Sequence, residues 1–165
     1  MDEEGSSGGG SGGGISIDDL AECTAPSGDI TVGVSTIEAY AFAGKPITSV
    51  TGTSVTDLKD SALAHCDSLQ TVSFPNLVSI TGTYVFGYCP NLSSVHFPNL
   101  TTTATNSYLF YKLTSSIANA KAIIVMPKIS NLGARAFDRV FADKIDLGPD
   151  LAVLNADQFY NNVEG

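Results

Sequence analysis

The sequence has no tryptophan, two histidines, three cysteines and only eight lysines and arginines among its 165 residues. Each shortage excludes something. Three cysteines do not make a disulfide scaffold, nor a structural zinc site, which takes four well-spaced ligands. Eight bases stand against 17 acids, a formal charge of −9 and a pI near 4.3. Contact with phosphate needs clustered Lys and Arg, so nucleic acid is not an expected partner. No apolar run approaches the roughly 20 residues that cross a bilayer, so no membrane span is expected. Residues 1–14 lack the charged-then-apolar order of a secretory signal, so no signal peptide is expected in this chain. Charged residues make up 15% of the chain, below the usual quarter or so, while apolar residues reach 43%. The length suits one domain with its own core.

Residues 1–14 hold seven Gly, three Ser and three acids. Such a stretch buries no apolar surface and reads as a flexible Gly/Ser-rich leader. A cloning scar is one account. The acids Asp2, Glu3 and Glu4 favour a native tether. Residues 15–29, acidic and containing Pro26, read as an amino-terminal cap, and residues 30–165 as one repeat array.

What is abundant is self-similarity. Leu69-Gln-Thr-Val-Ser-Phe-Pro-Asn-Leu77 aligns without gaps on Leu92-Ser-Ser-Val-His-Phe-Pro-Asn-Leu100, 23 positions on. Weaker copies run Ile47 to Val55, Ile123 to Ile129 and Ile145 to Leu151. A second landmark lies between them. Phe42, Leu63, Phe86, Phe110, Phe137 and Phe159 follow one another at steps of 21, 23, 24, 27 and 22, most preceded by an aliphatic residue five or six positions earlier. In the fourth copy Thr103 or Ala104 takes the aliphatic place. A unit this short cannot bury its own apolar side, whereas stacked units share one continuous core, so the array is a solenoid of about six coils. Val72 and Phe74 point inward at strand spacing, Thr71 and Ser73 outward, and Pro75 or Pro98 ends the strand. Helix formers around each large residue, as in Glu38-Ala-Tyr-Ala-Phe-Ala43, predict short helical turns. The expected fold class is therefore α/β and β-rich. Val50, Val72, Val95, Ile124 and Ile145 should form one buried strand row, with Thr51, Ser73, His96, Val125 and Asp146 exposed beside it.

Ala64-His-Cys66-Asp-Ser-Leu69 and Gly87-Tyr-Cys89-Pro-Asn-Leu92, followed by Val72-Ser-Phe-Pro75 and Val95-His-Phe-Pro98, resemble the BspA-type leucine-rich repeats of bacterial surface proteins, some protists and gut phage or prophage proteins. The likeness runs from about residue 30 to 163 and weakens over 104–130, where an insertion at 115–121 breaks the period. The resemblance implies a leucine-rich-repeat solenoid used for binding or adhesion. The family shares no active site, so no functional residue carries over.

Residues capable of chemistry are few. Cys66 and Cys89 share a repeat position with Lys45, Leu113, Val140 and Asn162. Neighbouring coils would allow a disulfide, but a small buried packing residue is the plainer reading. Cys23 stands apart. His65 and His96 lack the flanking groups of a Cys–His nucleophile. Gly8 to Gly12 is no phosphate loop, and the acids fall at no calcium-loop spacing. No cofactor or metal is expected, and the chain reads as non-enzymatic.

Charge is distributed unevenly. Residues 68–111 contain no Asp, Glu, Lys or Arg but thirteen Ser or Thr, four Asn and four of the six Tyr. Residues 1–67 carry eleven acids and two bases; residues 112–144 carry six bases and two acids. A charge-free surface of hydroxyl, amide and phenol groups suits a neutral partner, although Thr and Ser also simply favour outward strand positions. The candidate binding residues are Thr71, Ser73, Ser94, His96, Tyr84, Tyr88 and Tyr108. The expected role is a binding or adhesion module that presents a solenoid face to a protein or glycan. Its expected setting is extracellular, on a cell surface or in a phage or prophage virion. The alternative is a structural, self-assembling subunit that meets other copies through its carboxyl-terminal coil.

Overall fold

The computed structural model describes residues 27–113, 122–151, 154 and 156–160. The leader, residues 15–26 of the cap, Cys23, the 115–121 insertion and residues 161–165 lie outside the described residues. Ten short strands follow one another: Gly28–Thr31 (β1), Thr36–Ile37 (β2), Ile47–Thr51 (β3), Asp57–Leu58 (β4), Thr71–Ser73 (β5), Ser79–Ile80 (β6), Ser94–His96 (β7), Thr102–Thr103 (β8), Ala122–Val125 (β9) and Ala142–Asp146 (β10). Six of them make one parallel sheet in the order β1-β3-β5-β7-β9-β10. The strands follow one another in space in their sequence order, every second one as far as β9 and then β10, which is the signature of coils stacked along one axis.

Both rows expected along that sheet pair in register, but Val125 and Asp146 of the outer row are half-buried where exposure was expected. Val50 pairs with Val72, Val72 with Val95, Val95 with Ile124 and Ile124 with Ile145. The first four are buried and Ile145 half-buried. Thr51, Ser73, His96, Val125 and Asp146 pair in the adjacent row. β5, β7 and β9 each end at a β-turn with proline second, where the ring presets φ and needs no N–H. Leu77 N–H closes on Phe74, Leu100 on Phe97 and Ile129 on Met126. Asn76 and Asn99 each pass a side-chain N–H to the preceding coil, at the carbonyls of Thr53 and Pro75.

A second side of each coil is a shorter parallel row, in which β2 pairs with β4 and β6 with β8. Ile37, Leu58, Ile80 and Thr103 fill its buried positions. Thr103 thus takes the aliphatic place, and its buried hydroxyl is satisfied by the Gly133 N–H at 2.7 Å. Asp57 and Asp60 tie this row to the next coil through Thr81 and Thr83.

The third side corrects the sequence reading. The segments around Phe42, Leu63, Phe86, Phe110 and Phe137 are turns, and the only helical element among the described residues is the 3-10 helix Ala156–Phe159. The fold is a β-solenoid of about five turns with almost no helix, rather than α/β. The reason is where the backbone bonds go. An α-helix would return each N–H to its own chain four residues back. Here Phe42 N–H reaches Ala62 of the next coil, Leu63 reaches Val85, Phe86 reaches Leu109, Phe110 reaches Ala136 and Phe137 reaches Gln158. Packing between coils overrides the helix propensity of Ala and Glu. The large landmark residues form one column: Phe86, Phe110, Phe137 and Phe159 stack at 5.0–5.7 Å between ring centroids, with Phe159 at its end half-buried. Phe42 and Leu63 supply its first two buried rungs.

A tyrosine and cation ladder as candidate functional site

Each turn on the third side contains two residues in the left-handed region, four apart, flanking the buried column. The pairs are Tyr40 and Gly44, Ser61 and His65, Tyr84 and Tyr88, Tyr108 and Lys112, Arg135 and Arg139, with φ between 41° and 68°. This region favours Gly, and a side chain there costs roughly 1–2 kcal/mol per residue. All nine described non-glycine residues with positive φ fall in this ladder. Side chains in both columns are half-buried or exposed, whereas Phe86 and Phe110 between them are buried.

Stacking coils one step apart brings like positions face to face. The rings of Tyr84 and Tyr108 lie parallel at 4.6 Å, and those of His65 and Tyr88 at 4.4 Å. Tyr111 projects between the columns and meets Tyr84, Tyr88 and Tyr108 edge-on at 5.2–5.9 Å. Ala43, Ala64 and Gly87 occupy its place in the earlier coils, leaving room for it. Cations follow the rings. Arg135 lies over Tyr108 and Tyr160, with Nη1 donating to the Tyr108 hydroxyl at 2.9 Å. Lys112 lies over Tyr88 and Tyr111, and Arg139 over Tyr111. Burial beside the neighbouring tyrosines holds the phenols of Tyr84 and Tyr88 above their ordinary pKa. They stay protonated hydrogen-bond donors across the physiological range.

The seven residues singled out from the sequence fall on two sides of the coil. Thr71, Ser73, Ser94 and His96 are exposed on β5 and β7, where Thr71 faces Ser94 and Ser73 faces His96. Tyr84, Tyr88 and Tyr108 belong to the turn side. The sequence reading missed Tyr111, Lys112, Arg135, Arg139, His65 and Tyr160. It also took the charge-free span as a neutral surface, but cations of the following coils lie over its rings. The signal was available: each pair straddles a column residue, Phe or Leu63, by two residues on either side.

Cys66 and Cys89 are free, buried and packed as expected of core residues. Cys66 Sγ donates to the Phe42 carbonyl at 3.0 Å and Cys89 Sγ to the Leu63 carbonyl at 3.1 Å. Burial pushes the Cys66 thiol up to about 11, and the Cys89 thiol higher still. Leu113 and Val140, at the same repeat position, are buried too. Among the described residues no helix is long and apolar enough to cross a membrane.

Fold and surface together define a class: a parallel β-solenoid that carries rigid aromatic and cationic side chains on its turns. The profile of the BspA type leucine rich repeat region matches six copies over residues 35–164, and the chain belongs to that family. Searches among curated proteins and among solved structures return no match. The family is typically surface-associated, and its repeats form modules of the protein-binding and adhesion type.

Proposed function

We propose that the protein is a non-enzymatic adhesion module that docks its turn side on a protein or glycan at a cell surface, as part of a surface protein or of a phage or prophage virion. The observation that carries this reading is the ring ladder. Tyr and Arg are the residues that dominate binding hot spots, and rings already fixed by stacking lose little entropy when a partner arrives. Strained backbone at every rung supports a role for these side chains, since Gly would relieve the strain. The candidates for chemistry have other employment. Raised thiol pKa values are the opposite of an activated nucleophile, and His65 lies against Tyr88.

The test is an array of extracellular proteins and neutral and acidic glycans, probed with the purified chain and two multiple variants. One variant replaces Tyr84, Tyr88 and Tyr108 with Ser; the other replaces Thr71, Ser73, Ser94 and His96 with Ala. Binding lost only in the first supports the turn side. Binding lost only in the second moves the site to the strand side.

The self-assembling alternative draws on β10, last in the sheet order among the described residues, where Ile145 and Leu147 are only half-buried. An open strand edge recruits other strands. Sedimentation across a concentration series and two salt concentrations decides it: a monomer throughout removes that alternative.

A further inference from the structure

The ring ladder is closed at one end and open at the other. Toward the carboxyl end Arg135 covers Tyr108, and Lys112 covers Tyr88. Toward the amino end the next position in each column is a small residue. Inter-coil hydrogen bonds set Ser61 one rung before Tyr84 and Gly44 one rung before His65. Among the described residues no ring stacks on the outward faces of Tyr84 and His65. A Cβ added at Gly44 would meet nothing within 4 Å. One coil further on, in the column of Ser61, stands Tyr40, 53% exposed. Coils advance by roughly 4.8 Å, so the Tyr40 and Tyr84 positions are about two steps apart. The one ladder position between them is Ser61, which carries no ring, and two such steps match the spacing of two rings with one planar group between them.

We propose that this notch, lined by Tyr40, Ser61, Tyr84 and His65, takes the arginine side chain of a basic segment on a partner protein. The inference rests on the binding reading above and names its partner. Three observations converge. The opposite ends of the same two columns already hold a guanidinium and an ammonium against a ring, so the ladder accepts cations as rungs. A guanidinium is flat, weakly hydrated and stacks on aromatic faces. The charge around the notch is complementary. Lys59 is engaged by Asp57 at 2.6 Å, which leaves Glu38, Asp60 and Asp67 on the flanking segments against Lys45 alone. The whole chain, at −9, also draws basic partners toward it. An anionic sugar or a phosphate would meet those carboxylates instead.

The experiment is an NMR titration of the full chain at pH 8. The probes are a blocked Gly-Gly-Arg-Gly-Gly peptide, the same peptide with citrulline for arginine, and maltohexaose. The arginine peptide should shift the ring resonances of Tyr84 and His65 saturably, and the citrulline peptide should bind about threefold weaker or worse. Ser61→Tyr places in the gap the residue already carried at 40, 84 and 108; with a circular dichroism spectrum matching the unmodified protein, it should abolish the shifts. Equal binding by citrulline, preferential binding of maltohexaose, or arginine binding untouched by Ser61→Tyr overturns the proposal. The array separates the two readings: binding retained by Ser61→Tyr but lost in the tyrosine variant removes the notch alone, and binding lost in neither removes both.

Discussion

Phe110 lies between Phe86 and Phe137, with ring centroids 5.5 and 5.7 Å away and no exposed surface. Deleting its ring leaves a cavity that the rungs on either side cannot fill, because coil-to-coil hydrogen bonds fix their separation. Phe110→Ala should therefore cost about 3–5 kcal/mol in urea unfolding. A loss under about 1 kcal/mol contradicts the shared column. Cys66 and Cys89 should react slowly with a thiol reagent in the folded protein and fast in denaturant, since burial keeps both protonated. Fast reaction of both without denaturant removes them from the core. These inner positions were legible in the sequence because burial selects residue type, and the type recurs with the coil. Thr103 was legible only as an alternative to Ala104, because its burial depends on the bond from Gly133, 30 residues away.

An element of this fold is a side of the coil, and sides succeed by close approach. Gly82 sits where an added Cβ would run into the backbone of Lys59 and Asp60 in the preceding coil. Its N–H also donates to Leu58 at 3.0 Å. Gly82→Ala should push these two coils apart and lower the unfolding midpoint, whereas Gly33→Ala, with open space around it, should change little. Equal midpoints for the two variants contradict the packing described. The strand sides could be read from alternation and proline, but the turn side could not. Glu38 and the alanines around Phe42 satisfy a helix locally, and no local pattern says that each N–H will instead donate to a carbonyl 20-odd residues away. The ladder shares that cause. Tyr84 and Tyr88 look like scattered surface tyrosines until inter-coil bonds set them over His65 and beneath Tyr108, Lys112 and Tyr111.

Across the molecule, carboxylates act as clasps between and within coils, which makes stability depend on acid. Asp29 accepts from Ser49 and Thr48, and these bonds hold its pKa below the ordinary carboxylate value. Burial opposes the Asp57 charge, but Lys59 and Thr81 outweigh it and the net shift is also downward. Lys144 and the Gly148 N–H do the same for Asp146. A lowered folded pKa contributes stability that is complete above the unfolded value, about 3.9, and is lost as pH falls through the folded values. Thermal unfolding should therefore show a falling midpoint below about pH 4, partly relieved in Asp57→Asn, which has less to lose. A midpoint independent of acid down to pH 2 contradicts the clasps. Above this stability question stands the central claim, that the turn side is what the molecule presents to its partner. The most direct measurement is saturation binding of the labelled chain to intact cells, by flow cytometry, for the unmodified protein and for the triple variant Tyr84→Ser, Tyr88→Ser and Tyr108→Ser, with matched circular dichroism spectra. The account predicts saturable binding that the triple variant loses. Undiminished binding by a folded triple variant contradicts it.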